Sequence, residues 1–180
     1  MHRLAAASFA FTASISTTVR AQDVTSTDST KSSSVMIGGT IMIPQVSGMS
    51  AAEFTAVGLT VSPARPNRIG PDLAFVIFPR ALGYGVVGGA VRANIGLPIA
   101  MGPHMLFVPS AGLSLVGGVG YGAGGMQGLN GTLALLWFAD APAASASSLG
   151  LRAALALHRF GGDAEGTIRV LEIGIVRWKR

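Results

Sequence analysis

Cysteine is absent from this chain of 180 residues, and charged residues make up only 12% of it. Without cysteine the chain has no disulfide scaffold, no cysteine-ligated zinc site and no thiol nucleophile. Its low charge argues against a largely disordered chain, because such chains combine high charge with little apolar content. Here 49% of the residues are hydrophobic, and there are 25 glycines, which is about twice the average glycine usage. The composition therefore indicates one apolar, glycine-rich domain.

The first 21 residues have the three-part layout of a secretory signal peptide. An apolar stretch at 4–15 follows the basic residues His2 and Arg3. Val19 and Ala21 then place small residues where signal peptidase requires them. The stretch is shorter than the roughly 20 residues that a transmembrane helix needs. We therefore expect export and cleavage after Ala21; the alternative is an amphipathic helix kept in the mature protein.

Residues 22–33 are polar and rich in serine and threonine, which predicts a short disordered leader. Cleavage would remove Arg3 and Arg20 and lower the net charge from +5 to about +3. The remaining basic residues are scattered, whereas nucleic-acid recognition uses a clustered basic face. We therefore predict no nucleic-acid partner.

From residue 34 onward the apolar residues alternate with small or polar ones, as successive side chains of a β-strand do. In the segment 149–160, Leu151 and Leu155 share one face, while Arg152 and His158 share the other. Glycine, proline, asparagine and aspartate clusters separate the alternating segments. The predicted strands are 34–44, 53–62, 72–78, 85–97, 104–117, 127–138, 148–160 and 166–178.

The second face of these strands carries glycine, alanine, serine and threonine with single charged residues far apart. A soluble sandwich would expose a far more polar face. Small residues suit the crowded interior of a narrow barrel, and the large aliphatic residues then face lipid. Eight strands of this length fit the smallest outer-membrane barrel.

The segments 149–160 and 169–178 give the clearest alternation, and with this pattern the chain resembles small bacterial outer-membrane β-barrels. It is similar in plan to the OmpA-like transmembrane domain. The resemblance covers residues 34–180 and implies an all-β, up-and-down antiparallel barrel of about eight strands. It also implies that both termini lie on the periplasmic side.

Two groups of residues are structural candidates. Arg152 and Glu172 lie on the small-residue faces of the last two strands, so they should form an ion pair in the lumen, with Arg92 nearby. The alternative is an arginine that reaches outward to the membrane interface. Aromatic residues favour such interfaces, and we expect Tyr84, Trp137, Phe160 and Trp178 there, although aromatics are also common at strand ends.

Sequence motifs for catalysis, metal binding or phosphate binding are weak. No G-x-S-x-G sequence is present, and no serine lies near His158 on its own strand. His104 and the scattered carboxylates show no metal-ligand spacing. The glycines 120, 122 and 125 spell G-x-G-x-x-G, but an alternating strand follows where a phosphate-binding motif needs a helix. We therefore predict no catalytic residues, no cofactor and no metal.

These observations favour a non-enzymatic outer-membrane β-barrel with a structural or surface-interaction role. Its partners would be outer-membrane lipid and an extracellular molecule or small hydrophobic ligand of unknown identity. One alternative is a soluble, lipocalin-like barrel, periplasmic or secreted, that binds a hydrophobic ligand. A less favoured alternative is a barrel enzyme that acts on lipids.

Overall fold

The computed structural model describes residues 35–45, 55–120, 123–141, 147–161 and 166–179. The elements in chain order are β1 (Val35–Gln45), β2 (Ala56–Pro63), β3 (Gly70–Ile77), α1 (Pro79–Leu82), β4 (Val87–Gly96), β5 (Ile99–Ala100), β6 (Met105–Val119), β7 (Ala123–Phe138), β8 (Ser147–Phe160) and β9 (Gly166–Lys179). Eight of these strands are long, and β5 adds two residues beside β6. No helix in these ranges is long and apolar enough to cross a membrane.

The eight long strands form a closed, antiparallel, up-and-down barrel, which confirms the predicted fold class. Consecutive long strands pair with each other, and β1 pairs with β9 to complete the circle. We call the end where β1 begins and β9 ends the terminal end. The opposite end, which carries α1, is the loop end.

The observed strands follow the predicted segments closely. The largest difference is the β6–β7 hairpin, whose strands extend to Val119 and from Ala123, where the sequence pattern ended at 117 and resumed at 127. The segment 72–78 forms β3, and Pro79 begins the short helix after it. The predicted signal peptide (1–21) and leader (22–33) lie outside the described residues.

Alternation along the strands sorts side chains between the outside and the inside of the barrel. Every second residue of β8 is buried, from Ser148 to Phe160, and its neighbours are exposed. The exposed set contains the large aliphatic residues, such as Leu151 and Leu155. The small-residue face therefore lines the lumen, and the aliphatic face forms the exterior.

Glycine lines the lumen where neighbouring strands come too close for a side chain. A Cβ atom at Gly58 would overlap the carbonyl oxygen of Phe75, and one at Gly112 would overlap that of Ala93. Both obstacles are backbone atoms of the adjacent strand, so they cannot move aside cheaply. The small residues of the inner face thus permit the tight curvature of an eight-stranded barrel.

Two apolar clusters fill the lumen at different levels. The terminal-end cluster consists of Met36, Ala64, Leu106, Val108, Ala134, Leu136, Phe138, Ala154, Val176 and Trp178. The loop-end cluster consists of Met42, Ala56, Ala74, Val76, Ala156 and Val170. Along β9, Glu172 lies between Val176 of the first cluster and Val170 of the second. On this strand the charged side chain therefore lies between the two apolar clusters.

Candidate functional site

Four charged side chains meet in the middle of the barrel. Arg152 of β8, Glu172 of β9, Arg92 of β4 and Asp72 of β3 each face inward because each occupies an inward position of its strand's alternation. Each is at most 3% exposed. Two positive and two negative charges thus share one water-excluded layer, which we call the lumen network.

Glu172 joins both arginines. Its Oε2 atom accepts hydrogen bonds from Arg152 Nη1 at 3.1 Å and from Arg92 Nη2 at 3.2 Å. Arg92 Nη1 also donates to Glu172 Oε1, so this pair is bidentate. The structure therefore brings together all three residues that the sequence suggested for a lumen ion pair.

Asp72 is the fourth member, and sequence reasoning missed it. Its Oδ1 atom accepts from Arg152 Nη2 at 3.3 Å and from Ser62 Oγ at 3.2 Å. Its Oδ2 atom accepts from Ser110 Oγ at 2.6 Å and lies 3.9 Å from Arg92 Nη2. One signal was available: Asp72 has the same alternation phase as Ala74 and Val76, which are both buried.

The lumen network spans the barrel in two directions. Arg92 and Glu172 lie on β4 and β9, and Arg152 and Asp72 lie on β8 and β3. In each pair the two strands are opposite each other in the closed order of eight long strands. Adjacent strands supply the other contacts, Arg152 with Glu172 and Arg92 with Asp72. The ion pairs therefore connect opposite walls of the barrel through the lumen.

Burial makes this arrangement depend on full pairing. An isolated buried charge is very costly, and the cost is offset only when hydrogen bonds and opposite charges satisfy it. Here each carboxylate accepts from a guanidinium, and hydroxyl groups complete Asp72. The network is electrically balanced, with two positive and two negative charges, while the Nε atoms of Arg92 and Arg152 have no hydrogen-bond partner among the described residues.

A second set of polar side chains lies beside the network without hydrogen-bond partners among the described residues. Asn130 and His158 face each other across β7 and β8, and neither side chain has a partner there. The His158 ring stacks on Phe160 with ring centres 6.1 Å apart. No serine or carboxylate of the described chain is therefore hydrogen-bonded to His158, as an acyl-transfer triad would require.

The second histidine of the described residues contacts a backbone carbonyl group. His104 Nδ1 lies 3.1 Å from the carbonyl oxygen of Phe138, at the terminal end. Within the described ranges no three histidine, aspartate or glutamate side chains are grouped in a way that could hold a metal ion.

Of the four aromatics expected at membrane interfaces, two are placed differently. Trp137 points outward at the terminal end and Tyr84 is exposed near α1. Phe160 and Trp178 instead point into the lumen and are 2% and 6% exposed, which corrects the prediction for these two. The reason is alternation: Phe160 shares the phase of His158, and Trp178 shares that of Glu172.

The exterior carries a belt of apolar side chains around the barrel. On β9, Leu171, Ile173 and Ile175 are exposed between Arg169 and Arg177. Neighbouring strands repeat this, with Leu149, Leu151, Leu155 and Leu157 exposed on β8. Soluble monomers rarely expose apolar surface on this scale, and such surfaces mark contact with a membrane or a partner.

The sequence matches no family model and no curated protein. Two solved structures are similar to this fold. The N-terminal β-barrel domain of Pseudomonas aeruginosa OprF has a TM-score of 0.54 at 13% identity, over 79% of this chain and 96% of that domain. Neisserial surface protein A (NspA) has a TM-score of 0.52 at 15% identity, over 81% of this chain and 96% of that chain.

The chain has the fold of small outer-membrane β-barrels. This confirms the resemblance predicted from the alternating segments, and at these identities the likeness concerns the fold.

Proposed function

We propose that the protein is a non-enzymatic, integral β-barrel of the bacterial outer membrane with a structural or surface-interaction role. The observation that carries this proposal is the inverted distribution of its side chains. Aliphatic residues cover the exterior, and the charged residues of the lumen network are buried inside. Lipid would cover the apolar belt, as it does in transmembrane barrels.

The filled lumen supports a role other than conduction. Side chains fill the interior of an eight-stranded barrel, and here apolar clusters lie on both sides of the lumen network. The network's carboxylates are already hydrogen-bonded, so they are poor general bases or ion ligands. Surface contacts would then use the loop end, where Leu82 and Tyr84 beside α1 are exposed.

The two alternatives fit these side chains less well. A lipocalin-like barrel keeps an apolar lumen for its ligand and a polar exterior for water, whereas this barrel has an apolar exterior and four buried charged side chains in a filled lumen. A lipid-acting enzyme needs an activated nucleophile, and His158 has no hydrogen-bonded serine among the described residues.

Fractionation of the full chain expressed in a Gram-negative host tests the proposal. We expect the protein in the outer membrane, extractable by detergent, with a gel mobility that changes on boiling because the closed barrel resists unfolding. A protein that remains free in the periplasm without detergent would contradict the membrane assignment. Esterase activity on a lipid substrate that His158→Ala abolishes would contradict the non-enzymatic role.

A further inference from the structure

One row of inward positions crosses four neighbouring strands of the barrel wall. Asn94 of β4 is opposite Gly112 of β6, which is in turn opposite Asn130 of β7. His158 of β8 is the next member, opposite Asn130. The side chains of Asn94, Asn130 and His158 are 4%, 6% and 8% exposed. We call these four residues the polar row; it carries amide and imidazole groups, whereas the lumen network carries full charges.

The polar row contains five buried polar atoms that have no hydrogen-bond partner among the described residues. They are Asn94 Oδ1, Asn130 Oδ1, Asn130 Nδ2 and both ring nitrogens of His158. Nearly all buried polar groups in proteins are hydrogen-bonded, either to protein or to ordered water. Five such atoms in one row of the lumen therefore indicate a ligand that completes their hydrogen bonds.

Gly112 separates the two asparagines and limits the size of that ligand. Asn94 Oδ1 lies close to this glycine, because a Cβ atom there would be 2.7 Å from it. Adjacent strands are ~4.8 Å apart, so the Cα atoms of Asn94 and Asn130 are about 10 Å apart. Two asparagine side chains do not close this distance with a direct hydrogen bond. A small molecule between them can bond to both.

The balance of donors and acceptors in the polar row selects a neutral ligand. Carboxamide oxygens accept, the carboxamide nitrogen donates, and a neutral imidazole offers one donor and one acceptor. A cation would leave Asn130 Nδ2 and the imidazole N–H unpaired, and an anion would leave both carboxamide oxygens unpaired. An ion would also add net charge to a lumen whose buried charges are balanced, which is costly. Water both donates and accepts, and it carries no charge.

We propose that Asn94, Asn130 and His158 bind a row of buried water molecules. A buried water makes about three hydrogen bonds, so about two molecules satisfy these side chains. The row continues into the lumen network through direct hydrogen bonds. Asn94 Nδ2 donates to Ser110 Oγ at 3.2 Å, and Ser110 Oγ donates to Asp72 Oδ2 at 2.6 Å. The bound water thus makes His158 one end of a hydrogen-bonded chain that leads to Asp72.

The site can be observed through asparagine, because the chain has only three asparagines, at positions 67, 94 and 130. The experiment uses the folded full chain in detergent micelles, with nitrogen-15 in the asparagine side chains, and the probe is water itself. Cross-relaxation between water and the side-chain amide protons is measured in the laboratory frame and in the rotating frame. We expect opposite signs in the two frames at Asn130, as a long-lived bound water produces. Asn67, which is exposed, should show no long-lived water.

Three variants test which groups hold the water. His158→Phe keeps an aromatic ring beside Phe160 but loses both nitrogen atoms, so the water signal at Asn130 should be lost. His158→Gln keeps one donor and one acceptor, so the signal should remain. Ser114→Ala is the matched control, because Ser114 is also buried and its Oγ donates at 3.5 Å to the carbonyl oxygen of Gly128, outside the row. This control should leave the signal unchanged.

Four results would overturn the water site. Absence of the long-lived water signal at Asn130 in the wild-type protein would show that water does not occupy the row. A signal that His158→Phe leaves intact would show that the imidazole does not hold the water. Loss of the signal in Ser114→Ala would show a general loosening of the lumen. A saturating shift of the Asn130 resonance on titration with rubidium or bromide would assign an ion to the site.

The water site does not depend on what surrounds the barrel, so its failure is distinct from failure of the membrane proposal. Fractionation reports the location of the barrel, and the resonances of Asn130 report its lumen.

Discussion

Arg92 and Glu172 pair across the full width of the barrel, from β4 to the strand directly opposite it, β9. Both side chains are buried, and the pair is bidentate. Arg152 and Asp72 repeat the arrangement on β8 and β3. Two crossed ion pairs therefore connect the adjacent strands β3 and β4 with the adjacent strands β8 and β9 on the opposite side of the barrel.

Removing Glu172 alone should lower the free energy of unfolding more than removing Arg152 and Glu172 together. Glu172→Gln leaves two buried arginines with one carboxylate, at an expected cost of about 3–5 kcal/mol in the free energy of unfolding. Replacing Arg152 and Glu172 together with methionine leaves Arg92 beside Asp72, which is still a balanced pair. This double variant should be less destabilised than Arg152→Met or Glu172→Met alone.

Urea unfolding of the barrel from phosphatidylcholine vesicles measures these differences. Additive effects of the two single methionine variants, with no coupling energy, would mean that Arg152 and Glu172 are not paired in the membrane.

Leu155 should face lipid near the middle of the bilayer. Leu155→Arg is therefore expected to cost about 2–4 kcal/mol, while an arginine at Thr167, an exposed loop-end residue of the next strand, should cost about 0–1 kcal/mol. The yield of heat-modifiable barrel on refolding into vesicles gives a direct comparison. Equal tolerance of both arginines would place Leu155 in water.

The two tryptophans should report opposite environments. Trp137 is 48% exposed on the outer face, and Trp178 is 6% exposed in the lumen. Because the chain has only these two tryptophans, Trp178→Phe leaves Trp137 as the single emitter, and Trp137→Phe leaves Trp178. Brominated lipids should quench Trp137 strongly and Trp178 weakly. The reverse order would mean that the inner and outer faces of this end are exchanged.

Gly58 should not tolerate a side chain. The Cβ atom of Gly58→Ala would overlap the carbonyl oxygen of Phe75, which is held in the β2–β3 ladder. Gly39→Ala is the matched control, because the nearest atom to its Cβ lies 4.0 Å away. We expect Gly58→Ala to lower the urea midpoint of refolded protein and Gly39→Ala to leave it nearly unchanged. Equal midpoints would show that the strands are farther apart at Gly58.

The strict alternation of β8 and β9 made the barrel and its inner face predictable. On β8 the leucines all fall on one phase, and on β9 Leu171, Ile173 and Ile175 do, so the inward positions of Arg152 and Glu172 follow from period two. Asp72 escaped notice because its strand is short and carries apolar residues on both phases. Its place in the network depends on the stagger of the strands around the barrel, which the pattern of one strand does not contain.

For two aromatic residues, the alternation of the strand decided the side-chain position, and the general preference of aromatics for membrane interfaces did not. Phe160 and Trp178 lie near strand ends, where aromatics favour the interface, but alternation turns both side chains into the lumen. There Trp178 joins the terminal-end cluster and Phe160 stacks on His158. The alternation phase was the stronger signal: Trp178 has the inward phase of Glu172, and Phe160 has the inward phase of His158.

Spin labels at outward and inward positions of β8 and β9 test most directly whether the exterior of this barrel contacts lipid. The chain has no native cysteine, so single cysteines at Leu155, Ile173 and the inward Ala156 accept a nitroxide without background. Labels at Leu155 and Ile173 should collide readily with oxygen, which dissolves in lipid, and rarely with a water-soluble nickel chelate. The label at Ala156 should be shielded from both. High nickel accessibility at Leu155 and Ile173, or packing there as tight as at Ala156, would contradict a lipid-facing exterior.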